Sequence, residues 1–85
     1  MKSTILRISP KSLISQQSKE QMNGSLVKRL AADMRARGYE VSQPISGVRR
    51  EDGRIVISDG HHRVAAAIRA GIDLVPVDVQ ERGVD

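Results

Sequence analysis

The sequence contains no cysteine, no tryptophan and no phenylalanine, and Tyr39 is its single aromatic residue. Without cysteine the chain can form no disulfide bond, no thiolate zinc site and no cysteine nucleophile. The scarcity of aromatic residues also argues against the usual kind of single-strand binding, in which bases stack on aromatic side chains. These absences exclude several classes of enzyme and of binding protein.

Long hydrophobic runs are absent as well. No apolar stretch approaches the roughly 18 residues that a bilayer span requires, and the residues after Met1 do not lead into a signal-peptide core. With 85 residues, of which 39% are hydrophobic and 28% charged, the sequence predicts one small globular domain over residues 1–85, with residues 80–85 as a flexible tail. We therefore expect a cytoplasmic site of action and no membrane partner.

Positive charge is concentrated in the first part of the chain. The net charge is +4. Residues 1–50 hold ten Lys or Arg against three Asp or Glu, for +7, whereas residues 51–85 hold four against seven, for −3. Such a basic surface favours a polyanionic partner, either nucleic acid or a nucleotide phosphate. A charged surface that is merely solvated explains the net charge of +4 equally well.

Hydrophobic periodicity predicts short alternating elements. Strands are expected at 4–8, 45–50, 54–58 and 74–79, where β-branched residues are frequent, and Pro76 indicates a sheet edge or a strand start. Asp52-Gly53 predicts a tight hairpin turn between the two middle strands.

Two main helices are expected. In the helix over 25–37, Leu26, Leu30 and Met34 form one apolar stripe, and Asn23 or Ser25 can cap the start. The second helix follows Gly60 and ends at Gly71. Together with the strands, these helices predict a small α/β or α+β domain.

The junction between the third strand and the second helix is the strongest candidate site. The strand runs into Asp59-Gly60, and His61-His62-Arg63 follows at once. A helix N-terminus exposes backbone N–H groups and the positive end of the helix dipole, so it attracts anions. Gly60 permits close approach of a phosphate to the backbone, and Arg63 offers a forked donor for it.

Helical spacing separates the two histidines. His61 shares a stripe with Val64 and Ile68, which we expect to face the sheet, so a satisfied histidine at the rim of the core is the simpler interpretation. His62 aligns instead with Arg69 on the opposite side and is better placed to contact a ligand.

Asp59 has two alternative roles. As an N-cap, its carboxylate would accept a backbone N–H from His61 or His62. As a functional group, it could hold a divalent cation beside a bound phosphate. Since the chain has no Cys/His ligand set, we expect an anion site rather than a dedicated zinc site.

At these residues the chain resembles a ParB/sulfiredoxin-fold domain of the small ParB-like nuclease group. The matching residues are Ile55 to Arg63, the alanine-rich helix to Gly71, Val75-Pro76-Val77 and Gln43-Pro44-Ile45. Gln17-Ser18, Met22, Gly24-Ser25 and Val27 also resemble the opening of ParB-like modules at the C-termini of bacterial polymorphic toxins. The resemblance implies an α+β domain with a mixed sheet of about four strands packed against two main helices.

The motif distinguishes among the members of this superfamily. Sulfiredoxins carry Gly-Cys-His-Arg, and His61 stands where their catalytic cysteine would be, which excludes their redox chemistry. Partition ParB proteins carry Gly-Glu-Arg-Arg and clamp CTP. Here only Gly60 and Arg63 match, and 85 residues do not include the helix-turn-helix DNA reader of those proteins, so chromosome partition is not expected.

The resemblance implies a phosphate-engaging domain whose activity is metal-assisted phosphodiester hydrolysis by a nuclease, in one form a toxin effector. Gly60, His61, His62 and Arg63 would bind phosphate. The catalytic residues would be His62, as general acid or base, together with Arg63 and Asp59, and Asp59 would also hold Mg²⁺ or another divalent cation.

The expected partner is nucleic acid, DNA rather than RNA, with an immunity protein in addition if the domain is a toxin. The residues that would attract the nucleic-acid backbone are Lys28, Arg29, Arg35, Arg49, Arg50 and Arg54. The alternative is a module that binds ATP or CTP and switches conformation without nuclease activity. A third hypothesis is an interaction domain that has lost the site.

Overall fold

The structure, a computed structural model, describes residues 2–16 and 22–81, with the backbone alone for residues 2 and 3. Its elements are β1 (Lys2–Ile8), a 3₁₀ turn at Pro10–Ser12, α1 (Gly24–Arg37), β2 (Ile45–Arg49), β3 (Ile55–Asp59), α2 (His61–Ala70) and β4 (Val75–Glu81). Within the described residues the four strands form one mixed sheet and two helices pack with it. The predicted α+β class is confirmed.

The sheet has the strand order β1-β4-β2-β3. β4 runs antiparallel to β1 and parallel to β2, while β3 is antiparallel to β2. Beyond β3, Ile14 forms a single parallel bridge with Val56. Its N–H donates to Ile55 O and its carbonyl accepts from Ile57 N–H, both at 2.9 Å. Backbone pairing on both sides therefore fixes the strand that leads into the candidate site.

β4 begins as predicted and extends past its predicted end. Pro76 is the second residue of the strand, which confirms the strand-start alternative, and β4 lies inside the sheet between β1 and β2, so the edge alternative does not apply. The sequence also predicts a flexible tail from residue 80, whereas Gln80 and Glu81 still pair with β1. Residues 82–85 lie outside the described residues.

The core lies between one face of the sheet and the two helices. β4 contributes three valines that are completely buried, and β2 and β3 contribute isoleucines. The buried hydrophobic residues of the helices and strands are Val27, Ala31, Met34, Ile45, Ile55, Ile57, Val64, Ala66, Ala67, Val75, Val77 and Val79. Because α2 is largely alanine on its buried side, it can lie close to its neighbours without aromatic residues to fill a gap.

The buried face of α2 is rotated from the predicted one. Ile68, which the sequence places on the sheet-facing stripe, is 41% exposed, whereas Ala66 is completely buried. The reason is that α2 contacts α1 as well as β2 and the 3₁₀ turn. A prediction based on one apolar stripe assumes a single packing partner, and it is wrong for a helix that has several.

The hairpin between β2 and β3 closes as predicted. Arg50 N–H donates to Arg54 O at 2.7 Å, and Gly53 N–H donates to Arg50 O at 3.0 Å. Gly53 has φ 86°, the left-handed conformation that a three-residue loop of this type requires. Asp52 Oδ1 also accepts the N–H of Arg54 at 3.0 Å, which stabilises the turn.

Candidate functional site

The site is built on a glycine turn between β3 and α2. β3 ends at Asp59, Gly60 turns the chain, and α2 begins at His61. Gly60 has φ 99° and ψ 24°, a left-handed conformation that side-chain-bearing residues rarely adopt. A Cβ at this position would also lie 3.0 Å from Ile45 Cδ1. Both the backbone conformation and the packing therefore require glycine here.

Asp59 does not cap α2. The N-cap position belongs to Gly60, and no side chain accepts a hydrogen bond there. The predicted capping role is therefore wrong, because the left-handed turn at Gly60 places Asp59 one residue outside the capping position. Among the described residues, no side chain occupies the N–H groups of the first turn of α2, and they stay available to an anion.

A cavity of about 400 Å³ lies at this end of α2. All five residues of the predicted motif line it, together with a glutamine from the segment before β2 and two leucines of α1. Its lining residues are Asp59, Gly60, His61, His62, Arg63, Gln43, Leu26 and Leu30. Its volume falls within the range of ordinary small-molecule sites.

His62 connects the cavity to the start of α1. Its Nε2 accepts a hydrogen bond from Asn23 N–H at 3.0 Å. Asn23 is the N-cap of α1, and its Oδ1 accepts the N–H of Leu26 at 3.1 Å. A ring nitrogen that accepts a hydrogen bond carries no proton, so this contact assigns the proton of neutral His62 to Nδ1. In this state Nδ1 of His62 is a donor, and the ring has no acceptor nitrogen left.

His61 is half-buried and lines the same cavity. This position agrees with a histidine at the rim of the core, although the stripe on which that expectation rested is rotated. The proposed contact of His61 with phosphate stays a prediction.

Arg63 lies between this cavity and Tyr39. Burial raises the pKa of Tyr39 above its ordinary value of 10.0, while the charge of Arg63 and its hydrogen bond to the tyrosine side chain lower it. The Tyr39 hydroxyl donates to Gln43 O at 2.7 Å. The sequence reasoning assigned no role to Tyr39, and the one available signal was that it is the sole aromatic residue.

The structure separates the six basic residues predicted to contact nucleic acid into two regions. Lys28, Arg29 and Arg35 are exposed on α1, the helix whose leucines line the cavity. Arg35 Nη2 donates to the carbonyl of Arg69 at 3.2 Å. The three residues therefore lie on the helix that borders the site, but Arg35 reaches the end of α2 that is remote from it.

Arg49, Arg50 and Arg54 belong to the other end of the β2–β3 hairpin. Arg49 pairs with Ile55, whereas the site end of β3 pairs with Ser46. Arg49 Nε donates to the two carboxylate oxygens of Glu81 at 2.9 and 3.0 Å. Arg50 Nη2 also lies 3.6 Å from Asp52 Oδ2. Acidic partners thus already engage two of these three cations, and contact of the group with nucleic acid stays a prediction.

The described residues do not fit a metal centre held by the protein alone. Among them, no group of three His, Asp or Glu side chains could hold a metal ion. Asp59 contributes a carboxylate to the cavity lining. Mg²⁺ that arrives with a phosphate ligand needs only one or two protein carboxylates, so the predicted role of Asp59 is limited to such a shared ion.

No helix in the described part of the chain is long and apolar enough to cross a membrane.

Comparison with known proteins identifies the fold. No protein-family model matches the sequence, and no curated protein is significantly similar to it. Solved structures do match. The C-terminally truncated chromosome-partitioning protein ParB from Caulobacter crescentus, complexed with CTP-γ-S, has a TM-score of 0.76 and 26% identity over 94% of this chain and 46% of that chain.

The same ParB in complex with the centromeric parS site gives a TM-score of 0.72 and 29% identity, over 89% of this chain and 40% of that one. Sulfiredoxin from Arabidopsis thaliana gives a TM-score of 0.74 and 20% identity, over 93% of this chain and 86% of that one. The chain thus spans less than half of the length of the ParB structures. As the motif at residues 59–63 predicts, this protein has the fold of the ParB/sulfiredoxin superfamily.

Proposed function

We propose that this domain binds the phosphates of a nucleoside triphosphate at the N-terminus of α2. The observation that carries the proposal is the junction at Gly60, where an uncapped helix end opens into a cavity that Arg63 and both histidines also line. Backbone N–H groups at a helix N-terminus and a guanidinium are the donors that phosphate prefers. The similarity to a ParB solved with CTP-γ-S supports the nucleotide as the source of the phosphates.

Each residue has a distinct role in this proposal. Gly60 provides the left-handed turn that places the first N–H groups of α2 at the cavity, and a side chain here would clash with buried Ile45. Arg63 provides the positive charge, and His62 donates from Nδ1 while Asn23 holds its Nε2. Mg²⁺ would be carried by the phosphates, with Asp59 as a protein ligand on the cavity wall.

Phosphodiester hydrolysis is the second candidate, in the form of a nuclease and, in one setting, a toxin with an immunity protein as its partner. Its support is that two imidazoles, a guanidinium and a carboxylate line one cavity. General-base catalysis by His62 would require its hydrogen bond to Asn23 to open first, because that bond occupies the basic nitrogen. We therefore place nucleotide binding ahead of cleavage.

Titration with ATP, CTP and inorganic tripolyphosphate in the presence of Mg²⁺ tests the binding proposal. Hydrogen bonds to charged groups contribute about 1.5–3 kcal/mol, so we expect Arg63→Ala to weaken binding by about 10- to 150-fold. Arg69→Ala is the matched control, because it removes one exposed arginine from the far end of the same helix. We expect the Kd of the control to stay within about twofold of wild type.

Equal affinity of Arg63→Ala and Arg69→Ala would contradict the proposal, as would the absence of binding to a folded wild-type protein. Far-UV circular dichroism shows whether each variant is folded. Incubation of plasmid DNA and RNA with the wild type, His62→Ala and Arg63→Ala tests the nuclease alternative. Cleavage that survives both substitutions does not come from this site.

A further inference from the structure

The sheet has two edges, and within the described residues only one of them is covered. At the β3 edge, Ile14 exchanges backbone hydrogen bonds with Ile55 and Ile57. At the other edge, no strand within residues 2–16 and 22–81 pairs with the outer side of β1. Every second residue of an edge strand directs its N–H and C=O groups away from the sheet. β1 therefore presents a row of backbone donors and acceptors to which a further strand can bond.

β1 lacks the features that usually prevent an edge strand from pairing with another chain. Proteins protect such edges with proline, with a β-bulge or with charged side chains along the strand. β1 pairs with β4 in continuous register over Lys2–Ile8 and contains no proline. Its two charged residues stand near the ends, and Ile5 is at the centre. The middle of this edge is thus open to apolar contact.

β1 carries incompletely buried apolar side chains on both faces of the sheet. Ile5 pairs with Asp78 on the face away from the helices and is 62% exposed. Leu6 pairs with completely buried Val77 on the helix side, where Leu6 itself is only partly buried. Among the described residues, β1 packs extensively against β4 alone, so neither helix stands at this edge. A strand added beside β1 would cover both side chains.

We propose that this added strand is β1 of a second copy of the chain, antiparallel to the first about a two-fold axis at Ile5. This arrangement joins the two four-stranded sheets into one and lets all seven residues of β1 pair. The exposed Ile5 then packs against the partner's Ile5, and no two cations face each other. The opposed pairs are Lys2–Ile8, Ser3–Arg7, Thr4–Leu6 and Ile5–Ile5.

Other registers of the same strand are less favourable. A shift of the two-fold axis to Thr4 or Leu6 shortens the pairing to residues 2–6 or 4–8 and sets Ile5 opposite Ser3 or Arg7. The centred register is therefore the one in which β1 is complementary to itself, and this favours a second copy over an unrelated strand. The interface lies at the opposite edge of the sheet from β3, so it does not depend on the proposed binding of a nucleotide.

Sedimentation equilibrium of the whole chain tests the proposal. One strand edge is smaller than the roughly 1,200 Å² of a stable interface, so we expect a reversible dimer that forms between about 10 µM and about 1 mM. Ile5→Lys replaces the central apolar pair with two facing cations and should raise the Kd of the dimer at least about tenfold.

Val41→Lys is the matched control, because Val41 is 64% exposed and lies between α1 and β2, outside β1. It adds the same charge as Ile5→Lys, and its dimer Kd should stay within about twofold of wild type. Far-UV circular dichroism shows that each variant is folded.

Hydrogen exchange of the wild type locates the interface. As the protein concentration rises, the β1 amides directed away from β4 should exchange more slowly, whereas those bonded to β4 should not change. A wild type that stays monomeric at the highest concentration would overturn the proposal and leave the β1 edge to a strand of another protein. A dimer that both lysine variants weaken equally, or that forms without protection of the β1 amides, would overturn it as well.

Discussion

Replacement of Gly60 with alanine tests the most constrained position of the site. At φ 99° the backbone is left-handed, which costs a residue with a side chain about 1–2 kcal/mol. The new Cβ would also lie 3.0 Å from Ile45 Cδ1. Because Ile45 is completely buried, its side chain has little room to move, and we expect Gly60→Ala to lower the free energy of unfolding by about 1–3 kcal/mol in total.

This loss is large for so small a domain. A chain of 85 residues has a total stability of about 4–13 kcal/mol, and each 1 kcal/mol lowers Tm by about 4–8 °C. Urea and thermal unfolding followed by far-UV circular dichroism measure the change. Gly71→Ala isolates the backbone term, since Gly71 is also left-handed at φ 75° but nothing lies within 4 Å of its Cβ position.

Ile45→Val isolates the contact term, because it deletes the Cδ1 atom that the new Cβ would meet. In the Ile45→Val background, Gly60→Ala should cost less than it does in the wild type and come close to the cost of Gly71→Ala. A loss below about 0.5 kcal/mol for Gly60→Ala would refute the backbone argument. An unchanged cost in the Ile45→Val background would refute the contact argument.

Two further predictions concern the core and the pH dependence. Gly47→Ala should lower the free energy of unfolding by about 1–3 kcal/mol, because its Cβ would lie 2.6 Å from Ile55 Cγ2 and 3.2 Å from Val56 O. Urea unfolding measures the loss, and an unchanged urea midpoint would contradict this packing. Because the pKa of Tyr39 is higher in the folded protein than its ordinary value of 10.0, the neutral tyrosine stabilises the folded state. This contribution to the free energy of unfolding is fully present below pH 10 and is lost as the pH rises through the native pKa. Absorbance at 295 nm should show ionisation at higher pH in the native than in the unfolded protein, and at still higher pH in Arg63→Ala; a native midpoint at or below the unfolded one would contradict this.

Local chemistry made much of the fold predictable. The repeat of Leu26, Leu30 and Met34 identified α1, and Asp52-Gly53 identified the hairpin, because each signal depends on residues close in sequence. Gly60, between a strand and a helix, permits a tight turn for an equally local reason, the absence of a side chain. Such features need no knowledge of the rest of the chain.

The errors arose where distant segments decide the outcome. Ile68 is exposed because α1 takes part of the surface of α2. The choice between the two predicted alternatives for Pro76, a sheet edge or a strand start, likewise depends on distant segments, because β1 and β2 pair with β4 on either side. Neither fact can be read from the residues next to them. Tyr39 was missed for the same reason, since Arg63 reaches it from an element that begins more than twenty residues later.

The location of charge shows how composition and site are related. The excess of +7 in residues 1–50 predicts a basic surface, yet the cavity obtains its positive character from Arg63 and the end of α2, both in the half with a net charge of −3. Arg49 is paired with Glu81 at the far end of the hairpin. Of the basic residues on α1, Arg29 lies beside Leu26 and Leu30, which line the cavity, whereas Arg35 reaches Arg69 at the far end of α2.

A compact anion with several charges fits this arrangement better than a long one. A nucleic-acid backbone would need cations that continue away from the site, and on the hairpin side the cation Arg49 is engaged by a carboxylate. A triphosphate needs only the donors that converge at the start of α2. The distribution of charge in the folded domain, rather than its total, is therefore what supports the proposed binding of a nucleotide.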